Sequence, residues 1–501
     1  MSASISRATR LLIFAAAIAF AAPVSAEWRM AESAHFRVYG DESVKSLTTK
    51  AVLLEDYRSL LADITSGRPP LEDAPRLDIF LLRSLADARP FGTLPRNVAG
   101  FYAARLGRIS AFADTGDPSQ IVTLHEYAHH FMLATSVAAY PAWYVEGFAE
   151  YFSTAQFKPD RIEYGNVNSA RASWLVNGTW LPLERLLARD QGKRTVAEVA
   201  MYYAESWLLT HYLFRTPGMT EKLTAYLKAV SKGADPVATF KAEIDPDLRG
   251  FERKLKAYLT SRDNTYTLYK RTPPAPAAVV VTPLGPAADP MLMQLVALEY
   301  GVPADKRAAA IAAVRKAGAR NPDDPLARRT LALLELALGD RAAATKRIDA
   351  LLAVTPNDSA LLRWRAQALA GDGPPTPETR SAARRLLVRA FNADPNDWRT
   401  LFAYIRLNDL AAKPLSKGDL DVLTRAYELA PQVAEVVITL AVALAQSGDT
   451  AAAAQVLEPL VNAPHADPAS VLAKALRERA LAADRAGMAA LLRTPRLEAA
   501  D

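Results

Sequence analysis

Two histidines four residues apart, His125 and His129, constrain this chain more than any other stretch. On an α-helix such a pair lies on one face, so both imidazoles can offer a nitrogen to one ion. Glu126 lies about 100° round the helix from His125, where it can reach a water at the ion without ligating. The flanking runs Ile121-Val122-Thr123-Leu124 and Phe131-Met132-Leu133 are apolar enough for a buried helix. Tyr140-Pro141-Ala142 predicts a break, and Trp143 to Phe152 reads as a second helix. Glu146 and Glu150 fall four apart on it, so both can point back at the histidines. The reading assigns His125, His129 and Glu146 as ligands of one zinc ion, with Glu126 as general base. Glu150 is the acceptor for the free N–H of a ligand histidine. The alternative is a pair of core histidines with solvated surface glutamates.

Trp143-Tyr144-Val145-Glu146-Gly147-Phe148-Ala149 resembles the W-L-N-E-G-F-A segment of aminopeptidase N-type gluzincins, whose glutamate is the third zinc ligand. The gap of sixteen residues from His130 through Val145 is shorter than theirs. It looks more like that of the bacterial peptidase MA-like proteins, which share the H-E-x-x-H and W-x-x-E-G-x-A-E-Y-F pattern. The resemblance covers roughly residues 27 to 265 and implies a zincin-like fold. No counterpart of the exopeptidase motif G-A-M-E-N is present, which favours an endopeptidase, or a hydrolase of unknown preference, over an aminopeptidase. Met201 to Leu213 has helical periodicity and resembles the aminopeptidase helix that opens with a catalytic tyrosine. The resemblance makes Tyr203 the phenol facing the oxyanion, with Tyr202 second; an aromatic stripe packing a helix is the alternative. His211 reads as a packing or surface histidine, and His130 as a neighbour of the site.

Upstream, residues 35–39 and 76–81 read as strands around a helix near 43 to 62. Residues 100–104 and 108–112 read as a hairpin just before the metal helix. In zincin-like folds an edge strand beside the site pairs with extended substrate, and residues 108 to 113 are the candidate for it, an ordinary interior strand being the alternative.

Arg7 and Arg10, the apolar run Leu11 to Ala22 and the small residues Val24-Ser25-Ala26 predict a signal peptide (1–26) cleaved after Ala26, and a periplasmic or secreted protein. Losing those two arginines takes the formal charge from +6 to +4, a mild excess that does not argue for nucleic acid. With no cysteine, no disulfide framework is available, and no later stretch is long enough to span a membrane.

The reading divides the rest into a peptidase domain (27–270), a Pro-rich linker (271–290), helical repeats (291–490) and a tail (491–501). Asn321-Pro322-Asp323-Asp324, Thr355-Pro356-Asn357-Asp358 and Asp394-Pro395-Asn396-Asp397 each precede an amphipathic helix. Pro322 to Pro356 is 34 residues, the tetratricopeptide period; the next intervals are 39 and 36. The expected fold class is therefore an α+β zincin-like metallopeptidase domain followed by an all-α tetratricopeptide-like solenoid. Its concave groove would take a peptide substrate or protein partner, with Arg363, Arg365, Arg384, Arg385 and Arg389 as lining cations unless they are simply solvated. Three functions fit: a zinc endopeptidase, a zinc amidase on cell-wall peptide, and a non-catalytic scaffold with a vestigial zinc site.

Overall fold

The computed structural model describes residues 27–493 apart from 66–73, 87, 89–98, 117–119, 136–137, 190–191, 193, 263, 272–276, 372–373, 411 and 463–467. The expected signal peptide and most of the tail lie outside the described residues. The chain runs β1 (Arg29–Glu32), β2 (Phe36–Gly40), α1 (Val44–Thr65), β3 (Leu77–Leu82), β4 (Gly100–Ala104), β5 (Ile109–Asp114), α2 (Ile121–Thr135) and α3 (Ala142–Ser153). It continues through β6 (Gln156–Phe157), β7 (Arg161–Tyr164), α4 (Ser169–Asn177), α5 (Leu183–Leu187), α6 (Val196–Arg215), α7 (Met219–Val230), α8 (Pro236–Glu243), α9 (Leu248–Leu259), β8 (Thr267–Lys270) and β9 (Val280–Pro283).

This N-terminal region is α+β. A mixed six-stranded sheet has the order β4-β5-β3-β2-β1-β9, with β2, β3 and β5 parallel; a small antiparallel sheet joins β6, β7 and β8. The central strand β3 reads Leu-Asp-Ile-Phe-Leu-Leu and is buried along its length, as a strand covered on both faces must be. Leu77, Ile79 and Leu81 face the main core with α1, α2, α3 and α6. On the opposite face Tyr39, Phe80, Phe112 and Phe101 stack across four strands at centroid spacings of 4.6, 5.2 and 4.4 Å. The sheet order corrects one expectation. Residues 108 to 113 do not form the edge, because β5 lies between β4 and β3; the hairpin turns its first arm, β4, outermost.

A long run of packed helices follows: α10 (Ala288–Tyr300), α11 (Arg307–Arg320), α12 (Pro325–Leu338), α13 (Arg341–Val354), α14 (Ser359–Ala370), α15 (Pro377–Ala393), α16 (Trp398–Ile405), α17 (Lys417–Leu429), α18 (Ala434–Ser447), α19 (Thr450–Val461), α20 (Pro468–Leu481) and α21 (Arg485–Arg493). The Asn/Asp-Pro punctuation acts through capping. Asp324, Asp358 and Asp397 are the N-caps of α12, α14 and α16, each accepting a backbone N–H that the first turn leaves without a partner. Asp340 and Asp449 cap α13 and α19 in the same way after their glycine turns.

The stretch 271–290 does more than space two parts. β9 pairs antiparallel with β1, and α10 buries Ala288, Leu292, Met293 and Val296 against Phe80 and Phe112. The helical run docks twice more. Ala104, Leu106 and Ile109 pack on the core of α16–α21, and Arg399 donates to the Gly107 carbonyl at 3.3 Å. Farther along, Arg189 donates to Asn462 and, at 2.8 Å, to the Ala234 carbonyl. Among the described residues no helix is long and apolar enough to cross a membrane.

The arginines expected along the groove differ in their surroundings, Arg385 and Arg389 being exposed. Arg363 is buried and faces Asp397 at 3.4 Å, Arg365 pairs with Asp349 at 2.7 Å, Arg384 lies over Tyr404 and Arg389 donates to the Pro356 carbonyl. Asp397 answers two guanidinium groups, Arg363 and Arg399, and burial works against its charge while these two hold its carboxyl well below the usual range. Asp397→Asn keeps a competent cap but leaves the buried Arg363 and the half-buried Arg399 without their shared anion. It should destabilise the protein by about 3–5 kcal/mol in denaturant titration; a loss below about 1 kcal/mol, the size of a surface pair, would contradict a buried network.

Candidate metal centre

Helix α2 sets the first two donors. Leu124, Ala128 and Phe131 bury against the core, so the face one residue on points His125 and His129 at α3. Helix α3 starts immediately after Pro141, and all but its first residue is buried, which places Glu146 and Glu150 opposite the histidines. Gly147 makes the third wall possible. A Cβ there would lie 2.1 Å from Thr210 Oγ1 and 2.4 Å from the Ser206 carbonyl, so only glycine lets α3 and α6 come this close.

The donor atoms converge. His125 Nε2 and His129 Nε2 are 3.0 Å apart, and Glu146 Oε2 lies 3.6 and 3.5 Å from them. Among the described residues these three form the one group of at least three such side chains that could hold a metal ion. A tetrahedral ion with ligand bonds of about 2.0–2.2 Å spaces its donors about 3.3–3.6 Å apart. The carboxylate-to-imidazole separations fall in that range, and the imidazole pair is slightly tighter. Two imidazoles and a carboxylate are also a donor set suited to zinc.

Glu126 is 8 % exposed and does not belong to this triangle. The N–H of Tyr102 in the edge strand donates to its carboxylate, and a Cβ on Gly100 would sit 3.2 Å from its Oε1. Burial pushes the Glu126 carboxyl up to about 8; His129 pulls the other way, and the Glu146 and Glu150 carboxylates add to the rise. Glu146 behaves oppositely: burial disfavours its charge, but His129 and His125 hold it well below the usual carboxylate range. Glu150 Oε1 lies 3.5 Å from His125 Nδ1, on the far side of that ring from Glu146.

The Tyr203 ring stands 6.3 Å from the His125 ring, centroid to centroid. Its phenol is pushed upwards first by the Glu146 charge and then by burial, so it stays protonated. Tyr202 points elsewhere, into the core under Arg194. His130 turns away to the Tyr102 hydroxyl at 3.2 Å. His211 is fully buried, bonded to Tyr258 Oη and the Gly165 carbonyl at 2.8 and 3.1 Å, which makes it a packing residue.

Two participants escape a reading by motif. Arg171 donates to Glu150 Oε1 at 2.6 Å, and Asn168 Nδ2 reaches Glu150 Oε2 at 3.4 Å while its Oδ1 caps α4. The signal available was Asn168 as a helix start with an arginine in the first turn; nothing in the spacing ties it to Glu150.

Residues 121–238, from the start of α2 into α8, match a family model described as a protein of unknown function (DUF1570). No curated protein and no solved structure matches the chain. The matched segment holds His125, Glu126, His129, Glu146, Glu150, Arg171 and Tyr203.

The α3–α6 contact carries its own test. Gly147→Ala overpacks it and should cost about 1–3 kcal/mol in thermal or denaturant unfolding. Wild-type stability in that variant would show that the two helices have room to spare.

Proposed function

We propose that this chain is a zinc-dependent hydrolase, most specifically an endopeptidase that cuts exported or envelope polypeptides. The carrying observation is the convergence of His125, His129 and Glu146 beside a fourth, non-ligating carboxylate, Glu126. A bound zinc ion supplies a Lewis acid for the scissile carbonyl and lowers the pKa of a water towards ~7.

The protein's own groups do the rest. Glu126 takes the proton of the attacking water and passes it to the leaving amine. The Tyr102 N–H holds the Glu126 carboxylate in place from the edge strand. Tyr203, kept protonated, donates its O–H to the carbonyl oxygen as negative charge develops there. Strand β4, the sheet edge beside Glu126, offers backbone groups along which an extended peptide can align. This supports a polypeptide substrate over a compact small molecule. The helical run, read as a degenerate tetratricopeptide-like array, serves as the arm that recruits a substrate or partner; the predicted signal peptide places the protein in the periplasm or outside the cell.

Purified wild-type protein should contain one zinc per chain and cleave members of an unbiased peptide library. Glu126→Gln should keep its zinc and lose about 10²–10⁴-fold in rate, whereas His129→Ala and Glu146→Ala should lose the metal. Equal cleavage by Glu126→Gln and wild type would sink the mechanism. Tyr203→Phe should lower kcat by about 10²–10³-fold at unchanged metal content; an unaltered kcat would return this tyrosine to packing.

A further inference from the structure

We propose that Arg171 is a positioning residue that couples the ligand His125 to Tyr203, so that one guanidinium aligns both halves of the centre. The inference rests on the zinc-hydrolase reading above.

Glu150 is the hub. Its Oε1 lies 3.5 Å from His125 Nδ1 and accepts from Arg171 Nη2 at 2.6 Å, while its Oε2 is reached by Asn168 Nδ2 at 3.4 Å. The other ring nitrogen of His125 faces His129 and Glu146, so the imidazole is held from both ends. A carboxylate on the outer nitrogen fixes the tautomer and ring orientation of a ligand histidine.

Glu150 is only 1 % exposed, it and Glu146 flank the same His125 ring, and both carboxylates are felt by Glu126. A carboxylate buried among others needs a permanent counter-charge, and a guanidinium is the side chain that cannot give up its proton. Arg171 is placed for this by backbone chemistry. It is the third residue of α4, and Asn168 Oδ1 accepts from its own N–H at 3.3 Å. Asn168 therefore sets the helix that presents Arg171 and touches the carboxylate that Arg171 neutralises.

The same guanidinium does a second job. Its Cζ lies 5.2 Å from the centroid of the Tyr203 ring, within cation–π range. The phenol ring is thus steered by the group that orients His125. The guanidinium donates to the carboxylate through Nη2 while its flat face lies on the ring; a lysine's compact, strongly hydrated ammonium can neutralise the carboxylate but cannot reach both groups in that way. That difference separates the two jobs experimentally.

The test uses the full chain and zinc itself. Zinc affinity is measured by competition with a chromophoric chelator, and kcat and KM on a cleaved library peptide, with circular dichroism to verify folding. Arg171→Gln should weaken zinc binding by about 10–100-fold and lower kcat with little change in KM. Arg171→Lys should regain most of the zinc affinity while kcat stays low. Glu150→Gln should weaken zinc to a similar extent, and the double variant should bind no more weakly than the worse single one. Wild-type zinc affinity in a folded Arg171→Gln overturns the inference and leaves the hydrolase reading standing, as does a double variant whose losses add. Full recovery of kcat in Arg171→Lys overturns the link to Tyr203. A wild-type chain that takes up no zinc overturns the metal reading and this inference together.

Discussion

Three carboxylates, Glu126, Glu146 and Glu150, are buried within a few ångströms of two imidazoles, and most of the architecture around them answers that arrangement. An isolated ionised carboxylate cannot be taken from water without compensation that outweighs its lost hydration. Each of the three has a different one. Glu146 faces both histidines, Glu150 is bridged to a guanidinium and an asparagine, and Glu126 receives a backbone N–H but is otherwise left poorly compensated. That inequality matters more than any single distance. A carboxylate that stays charged suits a ligand, and one whose proton affinity is raised towards neutrality suits a base.

The surrounding fold is arranged so that these groups can be packed without gaps. Glycine at 147 brings α3 against α6, and glycine at 100 lets the edge strand lie close over α2, where a Cβ would meet Val122 at 2.4 Å. On the sheet's other face the ladder of four aromatic rings gives α10 an apolar bed. The helical run therefore begins as part of the sheet's own core and only then departs from it.

Much of the centre was legible because helix geometry ties spacing to direction. His125 and His129 had to share a face, and Pro141 marks the start of the second helix as its N-cap, the first having ended at Thr135. The upstream strands and helix were legible too, since β3 is apolar at every position but Asp78 and residues 43 to 62 carry a helical period. The sheet edge was not, because which arm of a hairpin lies outermost depends on pairing with β3, a partner distant in sequence. β1 and β9 were missed for a related reason: each is four residues long, and β9 ends in Pro283, inside a proline-rich stretch that reads as a spacer. Arg171 lies 21 residues from Glu150, and no periodicity joins the first turn of α4 to the helix α3 that it meets in space. The aspartate punctuation, by contrast, was visible as pattern, and the structure supplies its reason: the last aspartate of each group is a helix cap.

The return of the helices to the α+β region gives the molecule a topology of closure. Strand β9 and helix α10 lie on the sheet, α16–α21 meet the β4–β5 hairpin, and Asn462, just past α19, receives Arg189. A single break in the covalent chain between Lys270 and Val280 would then leave two pieces still clasped at three separate places. The helical part is thus tied into the α+β region at both its beginning and its far end.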